Sequence, residues 1–220
     1  MRILSDAARP KPPEPTPAGR VALWLFPVFF LSGSAALVYQ VVWQRALFAI
    51  YGVDTVSTTV VVTAFMLGLG LGSLVGGVAS RRWPRVAVAV FAWSELGIGL
   101  YGAVSLRVFA AVADVTHGVG HVAAGVVAFL LVVLPAVLMG ATLPLLVGHA
   151  VQRTHNVGRS VGDLYCVNTL GAAFGAFLAA YCLLGGLGLQ RTTLATAAVN
   201  CCLGALVLGL GRRRDEAPCG

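Results

Sequence analysis

Charge is what this sequence has least of. Only 10% of its 220 residues are charged, against 58% hydrophobic, and the mean hydropathy is +0.88. A soluble domain carries about 25% charged residues. With 15 basic and 8 acidic side chains, a folded globule of this length could not build its polar shell. A soluble enzyme and a disordered chain are both excluded on that ground. Cysteine is sparse as well. Cys166, Cys182, Cys201 and Cys202 sit within apolar runs and Cys219 lies near the end of the chain. They form neither a metal-ligand spacing nor the framework of a small secreted domain. The four histidines, His117, His121, His149 and His155, lack paired ligand spacing, so neither metal nor cofactor is expected. The basic segments are short and carry no interleaved aromatics, which sets nucleic acid aside as a partner. The remaining partner is the lipid bilayer.

Long apolar runs fill most of the chain. A helix needs about 20 mostly apolar residues to cross ~30 Å of hydrocarbon. Six such segments are predicted, at about 21–44, 55–80, 86–107, 122–147, 162–188 and 192–211. They are too long for barrel strands and lack the period-2 alternation of a barrel. The predicted fold is therefore all-α, a polytopic bundle of six transmembrane helices spanning 21–211. Before it lies a disordered tail at 1–20, rich in proline (Pro10, Pro12, Pro13, Pro15 and Pro17), and after it a basic tail at 212–220.

Six crossings alternate the loops between two sides. Arg2, Arg9, Lys11, Arg20, Arg81, Arg82, Arg85, Arg153, Arg159, Arg212, Arg213 and Arg214 fall on one side; Arg45, Arg107 and Arg191 fall on the other. By the positive-inside rule the first side is cytoplasmic. The expectation is a multi-pass protein of the cytoplasmic (inner) membrane with both termini inside.

Within the second predicted helix, Gly68, Gly72 and Gly76 recur every four residues, and Gly171 and Gly175 repeat the spacing in the fifth. Such faces let helix backbones approach closely in lipid, so these glycines are read as packing positions. Pro135 and Pro144 fall inside the fourth helix and predict a kink or break there.

An ionisable residue at membrane depth is costly and invites a functional reading. Glu95 is the clearest. Counted from Val86, nine residues at 1.5 Å each put it about 14 Å deep. Arg45, Asn168, Asn200 and Tyr101 are its candidate partners. One reading is a buried polar clamp. The other is a cation site in which Glu95, Gln40, Trp43, Arg45, Tyr165, Asn168 and Asn200 line a polar cavity, offering a carboxylate, amide oxygens and aromatic faces.

The run Phe29-Phe30-Leu31-Ser32-Gly33-Ser34-Ala35-Ala36-Leu37-Val38-Tyr39-Gln40-Val41-Val42-Trp43-Gln44-Arg45 resembles the first helix of the membrane domain of bacterial fused spermidine synthase-like proteins. Ala64–Ser73, Glu95–Tyr101, Leu138–Pro144 and Leu164–Ala172 resemble the same domain in the same order. The resemblance implies one half of a fold distantly like the major facilitator superfamily. It also implies a domain that transports, binds or docks polyamine-like cations, alone as a homodimer or beside a soluble synthase-like partner. The alternative it implies is a non-transporting anchor or scaffold for a separately encoded aminopropyltransferase-like enzyme. That family's soluble domain would need a nucleotide loop and acidic residues, and the glycines here lie in apolar runs without a preceding strand. The chain is accordingly expected not to be an enzyme, and no catalytic residue is assigned.

Overall fold

The computed structural model describes residues 23–51, 54–116, 121–154 and 156–215. The Pro-rich tail expected at 1–20 and the last part of the tail expected at 212–220 lie outside these. The described chain is helical nearly throughout, and a helix satisfies its own backbone groups, as long apolar segments require. Its elements are α1 (Leu25–Tyr51), α2 (Asp54–Arg82), α3 (Ala87–Thr116), α4 (His121–Thr154), α5 (Val157–Leu178), a π-helical turn (Ala179–Leu183) and α6 (Leu184–Asp215).

Among the described residues, five helical stretches are long and apolar enough to cross a membrane, where six separate segments were expected. The expected fifth and sixth form one stretch, Val157–Leu210, of 54 residues. If straight it would measure about 81 Å. It is not straight. Gly188 breaks the helical backbone with φ 72° and ψ 173°, and the Thr192 hydroxyl donates to the Leu183 carbonyl at 3.1 Å, nine residues back. The packing gives the direction on either side. Gly171 and Gly175 of α5 face Phe30 and Ser34 of α1, so these helices run parallel. Gly99 of α3 faces Cys201 while Gly204 faces Ala92, so α6 runs against α3. Because α1 and α3 are parallel, through Ser32 with Glu95 and Trp43 with Ser105, the chain reverses between α5 and α6.

Three helix pairs carry the bundle: α2 on α4, α1 on α5, and α3 on α6. Every one of the glycines read as packing positions lies at such a seam. A Cβ on Gly68 would strike Ala136, one on Gly72 the Val137 carbonyl, and one on Gly76 the Ala141 backbone. Gly171 and Gly175 press on the Phe30 and Ser34 carbonyls in the same way. Small residues bring backbones together where no hydrophobic effect drives association.

Of the kink or break expected in α4, the break is absent; the helix runs unbroken through Pro135 and Pro144. Each proline lacks the N–H that would bond the carbonyl four residues earlier, which frees Leu131 and Gly140. Both carbonyls are taken by neighbouring helices. Tyr101 of α3 donates its hydroxyl to the Leu131 carbonyl at 2.6 Å, and Ser73 of α2 donates to the Gly140 carbonyl at 3.3 Å. Replacement donors of this kind are what allow proline within a membrane helix.

Candidate functional site

Glu95 lies on the inner face of α3, fully buried at 0% exposure. Two other helices reach its carboxyl group. Ser32 of α1 donates Oγ–H to Oε1 at 2.5 Å, and Asn200 of α6 donates Nδ2–H to Oε2 at 2.6 Å. Both partners are uncharged. Among the described residues one ion pair occurs, Arg159 with Asp163 at 3.6 Å, on the exposed start of α5. The buried carboxyl thus has hydrogen-bond donors but no cation.

Ser32 and Asn200 have a second neighbour. Together with Gly33, Tyr165 and Asn168 they line a cavity of about 210 Å³. Its remaining wall is largely aliphatic and aromatic, with Leu37, Phe65, Leu69, Ile98, Met139 and Leu143. Two further hydroxyls reach it, and both already donate within the protein, Ser73 to Gly140 and Thr142 to the Met139 carbonyl at 2.7 Å. Asn200 is different. It is 2% exposed, its N–H is committed to Glu95, and its Oδ1 is buried without a partner. With the carboxyl ionised, the reverse amide orientation would set a carbonyl oxygen against a carboxylate oxygen.

Of the expected cavity members, Tyr165, Asn168 and Asn200 line this cavity, Glu95 is buried behind Ser32 and Asn200 without lining it, and three others lie elsewhere. Trp43 is eleven residues beyond Ser32 on α1, about 16 Å further along the helix. It donates Nε1–H to Ser105 at 3.0 Å and packs among Tyr39, Phe65, Tyr101 and Phe109. Gln40 is half-buried outside the cavity wall, and Arg45 is exposed. Arg45 is therefore not the partner of Glu95, and neither is Tyr101, whose hydroxyl is on Leu131. Ser32, which completes the carboxyl's shell, escaped the sequence reading. A serine in an apolar helix ordinarily bonds its own preceding turn, as Ser94 does with the Val90 carbonyl at 2.9 Å, so nothing in the sequence marks one that reaches across.

Chemically, the arrangement suits binding. A carboxyl group lies one side chain behind a partly open, mostly apolar space whose lining includes Ser73, Thr142, Tyr165, Asn168 and Asn200. That combination matches the chemistry of a cation with an aliphatic body. Among the described residues no three His, Cys, Asp or Glu side chains converge on a metal position.

Comparison with known proteins gives two relatives from Streptomyces coelicolor. Polyamine aminopropyltransferase 2 is 33% identical over 84% of this chain and 33% of its own length. Polyamine aminopropyltransferase 1 is 29% identical over 96% of this chain and 39% of its own length. No family model matches, and no solved structure does. The chain thus spans between a third and two fifths of the length of these relatives. Their names correct the expectation that the chain is not an enzyme: both are named as enzymes, and the similarity covers most of this chain. The chain is similar to polyamine aminopropyltransferases and is enzyme-related.

Proposed function

We propose that this chain is the membrane-spanning portion of a polyamine aminopropyltransferase-type protein and that it holds a polyamine-like cation in the cavity beside Glu95. The observation that carries this reading is the shared position of Ser32 and Asn200, each bonded to the buried carboxyl on one side and facing the cavity on the other. A cation in the cavity is one side chain from a carboxyl group that lacks a counter-charge. The names of the two relatives supply the polyamine class.

In this reading the reversal at Gly188 makes the long fifth stretch two crossings, so the chain crosses six times with both ends on the cytoplasmic side. The halved facilitator-like arrangement belongs to the same proposal and rests on the sequence resemblance. A second copy or a soluble synthase-like domain completes the assembly. The limited coverage of the relatives, 33% and 39% of their lengths, favours a second reading, in which the segment anchors aminopropyltransferase activity at the membrane without moving a cation.

Labelled putrescine binding to the purified 220-residue chain in nanodiscs separates the two. Saturable binding that falls at least about tenfold in Glu95→Gln is expected, the size of one lost charge-assisted interaction. Binding that is absent, or equal in both proteins, leaves the anchor reading. Flux of the same label into proteoliposomes then tells transport from binding.

A further inference from the structure

Six polar side chains line the cavity, and four of them are occupied within the protein. Ser32 donates to Glu95, Ser73 to the Gly140 carbonyl and Thr142 to the Met139 carbonyl, while the Asn200 amide is buried against Glu95. The other two, Tyr165 and Asn168, stand one turn apart on α5. Neither side chain has a hydrogen-bond partner among the described residues. Tyr165 is 59% exposed. The buried polar atoms that lack a partner are Trp24 Nε1, Tyr39 Oη and Asn200 Oδ1; the Asn168 amide lacks one as well and is not among them, so its nitrogen and oxygen are accessible. Its place is cleared by α1. A Cβ on Gly33 would strike Asn168 at Oδ1, and Gly33 belongs to the cavity wall, next to Ser32. Asn168 lies eleven residues into α5, about 16 Å from its start. An unpartnered amide that far along an apolar helix is costly and calls for an explanation. We infer that the ammonium group of the bound cation is held on α5, where the Asn168 side-chain oxygen accepts its N–H and the Tyr165 ring flanks it, while Glu95 attracts it from behind Ser32 without touching it.

This rests on the cation reading above and says where contact is made. Glu95 is fully buried and outside the lining, so its charge acts on the cavity while its oxygens stay out of reach. Asn168 is the complement: an accessible acceptor without charge. Attraction and contact thus come from different helices, α3 and α5. The open side of the cavity agrees with this division. The exposed residues of the lining are Ser73 and Tyr165, on α2 and α5, two helices that share no seam. The opening lies between them, so an entering cation meets the Tyr165 ring, whose face attracts it, within one turn of Asn168.

The test uses the full chain in nanodiscs with putrescine as the probe. Nitration by tetranitromethane needs no variant: putrescine is expected to suppress it at Tyr165 and to leave it unchanged at Tyr181, which is 76% exposed and outside the cavity. Putrescine that binds without protecting Tyr165 overturns the inference. Asn168→Ala is expected to weaken putrescine binding by about tenfold or more, the worth of a hydrogen bond to a charged donor. In a Glu95→Gln background, Asn168→Asp is expected to recover at least about tenfold, because it returns a carboxylate to the point of contact. A residue that only packs against Gly33 would give no such rescue. Wild-type affinity in Asn168→Ala overturns the inference, and so does a double variant that melts as the wild type does yet binds no better than Glu95→Gln. If the wild type does not bind putrescine, the cation reading itself falls. Binding without protection or rescue removes the role of α5 alone.

Discussion

Asn200 and Glu95 stand 105 positions apart in the chain and meet at 2.6 Å, amide N–H on carboxyl oxygen. The contact sets the depth of α6 against α3, and with Ser32 on the other oxygen it ties three helices to one side chain. Hydrogen bonds between membrane helices average about 0.6 kcal/mol and reach about 1.7. Ser32→Ala is expected to lower stability within that range, measured by reversible unfolding in mixed micelles. In a Glu95→Gln background the same substitution should cost less, because a neutral amide accepts a weaker bond. An equal cost in both backgrounds would show that Ser32 acts through packing alone.

The proline in α4 and the tyrosine in α3 form a second interlocked pair. Tyr101→Phe keeps the ring against Trp43 but leaves the Leu131 carbonyl, already freed by Pro135, without a donor. A loss of about 1–3 kcal/mol is expected for a stranded buried acceptor. Pro135→Ala restores the backbone N–H within α4. The double variant is therefore expected to recover part of the loss, and additivity of the two changes in a double-mutant cycle would refute the pairing.

Gly72 and Gly70 are two residues apart on α2 and face different surroundings. A methyl group on Gly72 meets the Val137 carbonyl and the Ala141 N–H, whereas one on Gly70 meets open space. Gly72→Ala is expected to destabilise by about 1–3 kcal/mol through overpacking. Gly70→Ala should be neutral or slightly stabilising, since alanine favours helix. Thermal melts of the two variants in one detergent provide the comparison.

At Gly188 the constraint is the backbone itself. Nothing lies within contact of its missing Cβ, yet φ 72° with ψ 173° is a region open essentially to glycine alone. Gly188→Ala is expected to cost about 1–3 kcal/mol. Gly185→Ala and Gly186→Ala, on helical backbone with equally open surroundings, should be tolerated. Unchanged melting in Gly188→Ala would mean that the reversal does not depend on this residue.

Much of this architecture is legible in the residues. Apolar runs locate the helices because the bilayer's thickness imposes their length, and the glycine spacing locates the seams. The ends are less legible. α1 was expected to stop near residue 44 and reaches Tyr51, and α3 runs to Thr116 instead of 107, because a helix goes on satisfying its backbone after its apolar composition ends. The sequence puts Arg191 in the connection between the last two helices, but the chain turns at Gly188 and Arg191 already lies within α6. At the site, Glu95, Asn168 and Asn200 announced themselves as polar residues in apolar helices. Trp43 shares a helix face with Ser32 and was misplaced by depth rather than by phase. Ser32 gave no signal, because the partner of a hydroxyl is a matter of packing.

The two prolines of α4 also bear on how helices as apolar as these would enter a bilayer. A segment emerging from the insertion machinery with two bare carbonyls would resist transfer into hydrocarbon. Their donors, Ser73 and Tyr101, belong to α2 and α3, which precede α4 in the chain. Synthesis from the N-terminus makes those side chains before the carbonyls that require them. The order of the helices in the gene thus matches the order in which their unmet bonds arise.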